Sequence, residues 1–230
     1  MVCTVTAESA PTPDDPRELS PREERRRIRL QTTRSQVLDA AERAFAATGF
    51  HGTTIKSIAE QCEIAVGTMY SLFDDKDSVY EAVLRRRGNE LKALTDARIA
   101  EFGPADAKLV ELAELQINYF RTYPEWSHVA SELGSGPGTM RTASGAPRMY
   151  EVGHQEVAEA IADVVTRGQS EGSIRSGPPL ALALVFLGML RSFYRIDSGA
   201  VAEYTLDEFL DLIRAAFSTN HHTTAKKRTT

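Results

Sequence analysis

Residues 53–76 read TTIKSIAEQCEIAVGTMYSLFDDK, and this stretch decides how the rest of the chain is interpreted. Its apolar residues recur at the short spacings typical of helices that bury one face. They form two groups separated by a short break: Ile55, Ile58, Ala59 and Cys62, then Met69, Leu72 and Phe73. Two short helices joined by a tight connection form a helix-turn-helix, whose second helix enters the major groove of DNA. The stretch therefore predicts a DNA-reading element.

The segments GFHGTTIKSIA (49–59) and VGTMYSLFDDKDSV (66–79) carry the most specific pattern in the chain. The positions that occur in register are Thr54, Ile58–Ala59, Gly67–Thr68, Tyr70, Phe73 and Lys76. With this set, residues 34–88 resemble the DNA-binding domain of TetR-type (tetracycline-repressor-type) bacterial transcriptional regulators. The resemblance implies an all-α protein with a three-helix DNA-binding domain, followed by a larger helical domain for ligand binding and dimerisation.

Three positions depart from the common pattern of that family. Glu63 stands where the turn often has glycine, and Ala65 stands where the second helix often has a capping serine. Val66 stands where lysine or arginine is frequent. The operator sequence of other members therefore does not carry over to this chain.

Composition is that of an ordinary soluble globular protein, with 42% apolar and 26% charged residues. The two cysteines, Cys3 and Cys62, give neither a disulfide framework nor metal-binding spacing, which favours a reducing, cytoplasmic location. No apolar stretch reaches the roughly 18 residues that a membrane helix needs, and the N-terminus does not resemble a signal peptide. We therefore expect a cytoplasmic protein without a membrane partner.

The net charge of −5 is unevenly distributed along the chain. Residues 22–34 hold six arginines against two glutamates. Residues 21–87 carry a net charge of +2, whereas residues 88–218 carry −7. Because a polyanion docks where positive charge is concentrated, the N-terminal part is the predicted partner of double-stranded DNA.

Helical periodicity and turn residues predict an all-α chain without strands. Its predicted parts are a disordered tail (1–20), a helix-turn-helix domain with a basic N-terminal arm (21–88), a ligand-binding and dimerisation domain (89–218) and a second disordered tail (219–230). The functions of the larger domain rest on the resemblance.

Capping residues predict where the helices begin. The motif SPRE (20–23) is a capping box that starts a helical basic arm, and residues 33–36 are a second possible start of the helix that stops at Gly49. Thr53 or Thr54 should cap the first helix of the helix-turn-helix. Further helices are predicted at 75–102 (capped by Asp74 or Asp75), 105–123, 124–133, 146–169, 179–197 and 205–218, with a mobile loop at 134–147.

The candidate DNA surface is the side of the second short helix that lies opposite its apolar residues. There, Gly67 would let the backbone approach the duplex, and Val66 would meet a thymine methyl group. The resemblance implies that Thr54, Thr68, Tyr70 and Lys76 hold phosphates. Lys56, Ser71, Arg25, Arg26 and Arg27 complete the set, Lys56 and the arginines on charge alone. The alternative is that these are simply exposed residues of a helical bundle.

The candidate ligand site lies in the acidic remainder of the chain. Gln116 and His154 fall inside apolar stripes, where a polar group needs a partner. That partner is either a ligand or another group of the core. Phe120, Tyr123, Trp126, Met149 and Tyr150 complete the candidate contacts, although packing also explains the weaker ones. The pocket should be mainly apolar and should favour a hydrophobic effector.

The last two predicted helices are the candidate dimer interface. The helix at 179–197 is apolar nearly all round, so it must be covered on several sides. By the resemblance, two helices from each chain would form a four-helix interface. Its candidate residues are Phe186, Leu190, Phe193, Leu206, Phe209, Leu210, Ile213 and Phe217. The alternative is that they belong to the core of a monomer.

No catalytic motif or metal-binding spacing occurs, and no cofactor is predicted. The sequence therefore predicts a homodimeric regulator that is not an enzyme, most simply a repressor released from a pseudo-palindromic operator by a small hydrophobic effector. The alternative is an all-α small-molecule-binding or scaffold protein that no longer reads DNA.

Overall fold

The computed structural model describes residues 20–133, 146–195 and 204–219, except for the side chains of 131–133, 146–153 and 195. Its helices are α1 (Pro21–Gly52), α2 (Ile55–Gln61), α3 (Val66–Leu72), α4 (Lys76–Ala100), α5 (Ala105–Thr122), α6 (Pro124–Leu133), α7 (Ala146–Ser170), α8 (Pro179–Arg195) and α9 (Leu206–Phe217). Over these ranges the β-structure is limited to one isolated bridge, between Ile174 and Ser218. The all-α prediction is confirmed. The predicted loop at 134–147 and both predicted tails fall almost wholly outside the described residues.

The chain divides into two compact units between Gln36 and Val37. The described part of the first unit is the beginning of α1. There the backbone N–H of Glu23 donates to Ser20 Oγ at 3.3 Å, and the backbone N–H of Ser20 donates to the Glu23 carboxylate at 2.9 Å. These two bonds are the predicted capping box.

Helix α1 runs without a break through residues 33–36, so the alternative of a second helix start there is wrong. The hydroxyls of Thr32 and Thr33 each donate to the backbone carbonyl four residues earlier, at 3.0 Å, which fits a helix interior rather than a cap. The helical conformation is interrupted at Gly49, where φ is 69°. Glycine adopts this left-handed conformation without steric penalty, and the predicted stop at this residue is confirmed.

Side-chain caps fix the starts of α2 and α4. Thr54 caps α2: its hydroxyl accepts a bond from the backbone N–H of Ser57 at 3.0 Å. Thr53, the alternative cap, is buried instead. Asp75 caps α4 by accepting from the backbone N–H of Ser78 at 2.7 Å. Local sequence therefore determines where both helices begin.

The turn between α2 and α3 shows the effect of the unusual residues in it. Glu63 has a φ of 55°, and among the described residues it is the only non-glycine residue with positive φ. This conformation costs an L-residue about 1–2 kcal/mol, which explains why glycine suits the position. Ala65 is the N-cap of α3 and makes no side-chain hydrogen bond, because its methyl group has no acceptor.

Two hydrophobic clusters form the core. The first joins α1–α4 and also includes Tyr119 of α5 and Trp126 of α6. The second is formed by α5, α7, α8 and α9. Leu94 of α4 is 44% exposed, and its neighbour Thr95 is the buried residue at this level of the helix. None of the described helices combines the length and apolarity needed to cross a membrane.

Candidate DNA interface and ligand cavity

Helix α3 has one buried and one exposed face. Met69 is 1% exposed, and Phe73 at the end of the helix is also buried in the first hydrophobic cluster. Tyr70, by contrast, is 58% exposed, and Val66 is exposed as well. The helix is therefore anchored on one side and open on the other.

Gly67 lies on the open side of α3. A Cβ atom built at this position would meet no other atom within 4 Å. Packing within the chain therefore does not require glycine here. Its effect is to leave the backbone of α3 accessible to an external molecule.

Further predicted DNA contacts also have polar groups at the surface. Thr54 is exposed, and its cap uses the oxygen as an acceptor, so its O–H is able to donate. Lys56 is exposed and forms only a long ion pair with Glu60, at 3.8 Å. Thr68 is half-buried, and the exposed Ser71 hydroxyl donates to its carbonyl at 2.7 Å.

Lys76 has a structural function that the resemblance did not imply. Its Nζ donates to the backbone carbonyls of Phe50 at 2.9 Å and Thr53 at 3.1 Å, and it lies 4.2 Å from the centre of the Phe50 ring. These contacts fasten the end of α1 to the start of α4. A lysine has three N–H donors, so one is left for a phosphate.

The predicted arginines Arg25, Arg26 and Arg27 belong to the N-terminal unit, and all three are exposed. Arg27 pairs with Glu24 at 2.8 Å. An exposed pair of this kind contributes little to stability and is easily exchanged. The guanidinium groups are therefore available to bind phosphates.

A cavity of about 200 Å³ lies among α4, α5, α6, α7 and α8. Four of the predicted ligand contacts line it: Gln116, Phe120, Trp126 and His154. The other lining residues are Leu84, Arg85, Gly88, Asn89, Leu91, Lys92, Thr95, Ala130, Glu156, Val157 and Leu187. A second cavity of about 210 Å³ shares Gln116, Phe120 and His154 and extends along α8 to Tyr194. The lining is mainly apolar.

Three lining residues carry a buried polar atom that has no hydrogen-bond partner among the described residues. The atoms are Thr95 Oγ1, Gln116 Nε2 and Trp126 Nε1. Leaving such a group unpaired costs about 1–3 kcal/mol. Thr95 was not predicted from the sequence, although its position four residues after Leu91 on α4 places it on the inward side of the helix.

His154 contributes a neutral imidazole to both cavities. Burial lowers its pKa below the ordinary value, and the positive charge of Arg191 lowers it further. The ring is therefore uncharged at neutral pH.

Three predicted ligand contacts are not among the described lining residues of the two cavities. Tyr123 lines neither cavity. Its ring packs against the Arg87 guanidinium, which lies 3.7 Å from the ring centre. Met149 and Tyr150 lie on α7, but their side chains are outside the described set.

A polar network that sequence analysis did not identify joins α1, α4 and α5. The Tyr119 hydroxyl lies 2.9 Å from Glu90 Oε2 and 3.0 Å from the Arg87 carbonyl, and donates to this pair of acceptors. Arg87 Nε contacts the buried Glu42 carboxylate at 3.3 Å, and Arg86 Nη2 contacts it at 2.7 Å. The network therefore connects the helix-turn-helix side of the molecule with the cavity side.

The network also shifts the acidity of its members. Burial acts to raise the pKa of Glu90, but hydrogen bonds from Tyr119 and Arg87 and the charge of Arg87 outweigh it, and the pKa lies below the ordinary value. Burial and the Glu90 carboxylate raise the pKa of Tyr119, so its hydroxyl stays protonated as a donor. The partners are separated by 29 to 45 positions in sequence, so no local pattern reveals them.

The predicted dimer interface needs a correction. Six of its residues are already buried in their own chain: Phe186, Leu190, Phe193, Phe209, Ile213 and Phe217. Leu206 and Leu210 are half-buried. The exposed large apolar residues of the same helices are Leu180, Leu184, Val185 and Leu212, with Val185 55% and Leu212 47% exposed. These apolar residues were correctly predicted to be buried, but helices of the same chain, rather than a partner chain, cover most of them.

Within the described part of the chain, no group of three or more His, Cys, Asp or Glu residues is placed to hold a metal ion. Cys62 is half-buried, and burial raises the pKa of its thiol above the ordinary value. A raised pKa disfavours the reactive thiolate form.

Known proteins share this architecture. Residues 37–83 match the family model described as bacterial regulatory proteins, tetR family. The HTH-type transcriptional repressor AcnR of Corynebacterium glutamicum is 27% identical over 184 residues, which cover 79% of this chain and 90% of AcnR.

Two solved structures share the fold over most of their length. AibR in complex with isovaleryl coenzyme A and operator DNA aligns with a TM-score of 0.67 at 16% identity, covering 80% of this chain and 98% of AibR. A protein from Saccharomonospora viridis in complex with choline aligns with a TM-score of 0.68 at 19% identity, covering 83% of this chain and 100% of that protein.

Proposed function

We propose that this chain is a member of the TetR family of bacterial regulatory proteins and acts as a homodimeric, cytoplasmic transcriptional repressor that a small hydrophobic effector releases from its operator. Residues 21–88 would form the DNA-binding domain with its basic arm, and residues 89–218 the ligand-binding and dimerisation domain. A relative over most of the chain, AcnR, is itself named a transcriptional repressor.

The observation that carries the proposal is the division of α3 into two faces. Met69 anchors the helix in the core, while Val66, Gly67 and Tyr70 are exposed. An exposed tyrosine close to a glycine on the same helix face is suited to contact a DNA duplex. The phenol hydroxyl would donate to a phosphate, and the glycine would let the helix backbone approach the DNA closely. Thr54, Lys56, Thr68, Ser71 and Lys76 would add contacts to phosphates or bases.

A dimer gives the proposal its operator geometry. Two copies of α3 would occupy major grooves about one helical turn apart, which requires a pseudo-palindromic site. The exposed apolar residues Leu184, Val185 and Leu212 favour the outer side of α8 and α9 as the surface that pairs with a second copy. The half-buried Leu206 and Leu210 would lie at its margin.

Helix α4 provides a direct connection between effector and operator. It begins at Lys76, which is bonded to the end of α1, and it lines the cavity from Leu84 to Thr95. An effector that prefers a different position of α4 would shift the helix-turn-helix domains of the dimer, and DNA affinity would fall only in proportion to that preference.

The test is binding of the full chain to DNA fragments from the neighbourhood of its own gene, measured by fluorescence anisotropy between about 50 and 200 mM salt. We expect saturable binding to one fragment that weakens steeply as salt rises, because lysine and arginine contacts release counterions. Failure to bind any fragment at the lowest salt overturns the proposal and leaves a ligand-binding protein that does not read DNA.

Two variants locate the surface. Tyr70→Ala should weaken operator binding at least about tenfold, since a hydrogen bond to a charged phosphate is worth about 1.5–3 kcal/mol. The matched control is Phe102→Ala, which removes a fully exposed aromatic ring outside α3 and should bind as the parent does. Equal affinities of the two variants would contradict the assignment of α3 as the reading helix.

A further inference from the structure

We propose that the effector of this chain is an apolar molecule bearing a carbonyl oxygen, either a neutral carbonyl or a carboxylate, and that Thr95, Gln116 and Trp126 recognise this oxygen. The inference rests on the proposed function, because it names the chemical class that the proposed effector site takes. It follows from the polar atoms of the cavity and from its size.

The unpaired polar atoms of the molecule are concentrated at this cavity. Of the five buried side-chain polar atoms that lack a hydrogen-bond partner in the described part of the chain, three belong to residues that line it. They come from three helices: Thr95 from α4, Gln116 from α5 and Trp126 from α6. Because buried polar groups in folded proteins are normally paired, this concentration indicates a missing partner at the cavity.

The three atoms have one property in common: each is able to donate a hydrogen bond. The Trp126 indole N–H and the Gln116 amide NH₂ are donors only, and the Thr95 hydroxyl also has a hydrogen to give. A carbonyl or carboxylate oxygen accepts more than one hydrogen bond and would satisfy several of these donors. A quaternary ammonium group, by contrast, has no acceptor and would leave all of them unpaired.

The charges of the lining are compatible with an acceptor but do not select it. Arg85 lies 3.9 Å from Glu81, Lys92 lies 2.7 Å from Asp96, and Glu156 is a further lining carboxylate. Burial and the charge of Arg191 lower the pKa of His154, so this residue adds no positive charge at neutral pH. The hydrogen-bond donors, rather than the net charge, therefore carry the choice of an acceptor.

The volume of about 200 Å³ limits the ligand to a small molecule. An engineered protein cavity of about 150 Å³ binds benzene, so this one suits about eight to ten non-hydrogen atoms. The second cavity, which shares Gln116 and Phe120, gives room for a longer apolar tail.

The test uses four probes of nearly equal shape, titrated into the full chain by calorimetry: acetophenone, benzoate, isopropylbenzene and phenyltrimethylammonium. We expect acetophenone or benzoate to bind at least about tenfold more tightly than isopropylbenzene, and the ammonium to bind most weakly. Preference for acetophenone identifies a neutral carbonyl, and preference for benzoate identifies a carboxylate. Equal binding of acetophenone and isopropylbenzene, tightest binding of the ammonium, or binding of none of the four overturns the proposal.

Variants that remove only the polar atoms give a second readout. Gln116→Leu and Thr95→Val should fold with an equal or higher melting temperature, because each removes an unpaired buried group. They should also bind the preferred carbonyl probe about three- to tenfold more weakly, with binding of isopropylbenzene unchanged. The control Thr166→Val alters an exposed threonine of α7 and should change neither quantity. A lower melting temperature of Gln116→Leu or Thr95→Val, or unchanged binding of the carbonyl probe, overturns the proposal, because the removed atom would then have an internal partner or no part in recognition.

Operator binding without any probe separates this inference from the proposed function. A chain that binds its operator but prefers no carbonyl probe refutes the effector class alone. A chain that prefers the carbonyl probe but binds no DNA refutes the proposed function alone.

Discussion

The open face of α3 and the cavity are two candidate binding sites that the chain builds in different ways. The α3 surface depends on a short stretch of sequence: Thr54 and Asp75 cap the flanking helices, and Met69 anchors the reading helix. The cavity is assembled from five helices whose lining residues span positions 84 to 187. The exposed residues of α3 contribute little to folding, whereas the polar residues of the cavity reduce stability while they remain unpaired. Function and stability are therefore separable at the first site and opposed at the second.

Adjacent residues of α3 provide the strongest test of that separation. Met69→Ala should lower the free energy of unfolding by about 2–5 kcal/mol, because it leaves a cavity in the first hydrophobic cluster. Tyr70→Ala should change it by less than about 0.5 kcal/mol, because the side chain is exposed, while operator binding weakens at least about tenfold. Urea denaturation followed by circular dichroism measures both values. A comparable loss of stability in the two variants would show that Tyr70 is part of the core.

The outer side of α8 and α9 extends the comparison to a third surface, where exposed residues are apolar. Val185→Asp should convert the proposed dimer to monomer, with association weakened at least about a hundredfold, because each interface would bury an unpaired carboxylate from both subunits. Sedimentation velocity over a range of concentrations gives the association constant. Leu94→Asp, at a leucine of α4 that is 44% exposed, should leave the dimer intact. A dimeric Val185→Asp would move the interface elsewhere.

Tyr119→Phe tests whether the network between the two sites carries stability and coupling. Loss of the bond to Glu90 should lower the free energy of unfolding by about 1 kcal/mol near pH 7. It should also reduce the change in operator affinity that the effector produces. Tyr123→Phe is the control, since its hydroxyl lies 3.5 Å from Glu90 and contributes little.

The same variant has a pH signature. Because the pKa of Glu90 is lowered in the folded state, its contribution is present above the ordinary carboxyl pKa and is lost as the pH falls through the lowered value. The stability difference between Tyr119→Phe and the parent should therefore shrink on acidification below about pH 4.5. A difference that stays constant down to pH 3 would show that the bond to Glu90 is not its source.

Glu63→Gly should have the smallest effect and the opposite sign. Removing a left-handed conformation from an L-residue should raise the free energy of unfolding by somewhat less than 1 kcal/mol, after the greater flexibility of glycine in the unfolded chain is taken into account. Glu60→Gly, in the regular part of α2, should instead lower it by about 1 kcal/mol. Thermal melts of the two variants decide between these signs. Destabilisation by Glu63→Gly would mean that the Glu63 side chain makes a contact that offsets its strain.

The sequence predicted the helices and the faces of α3 well, because caps and apolar spacing are local properties. The predicted and observed starts agree for the helices that begin at Pro124, Ala146 and Pro179. It also predicted Gln116 and His154 as residues of the ligand site, since a polar residue within an apolar stripe can be recognised from the sequence alone.

The features that the sequence did not reveal are contacts between elements that are distant in sequence but adjacent in space. Glu42 and Arg87 are 45 positions apart, and their contact leaves no periodic signal. An apolar stripe also does not show what covers it: Phe186 and Ile213 were predicted at the dimer interface, but the helices of their own chain bury them. Thr95 was missed because threonine is common at surfaces and at caps alike.

The absence of a side chain at Gly67 has a consequence for cells that express two versions of this chain. Nothing within 4 Å would obstruct a side chain there, and leucine stabilises a helix relative to glycine by up to about 1 kcal/mol. A Gly67→Leu chain should therefore fold at least as well as the parent, pair with it, and hold the backbone away from the duplex. In a cell that expresses both genes equally, random pairing would put half of the parental subunits in mixed pairs and leave about a quarter of the dimers with two competent heads. The altered copy would therefore weaken repression in the presence of an intact one.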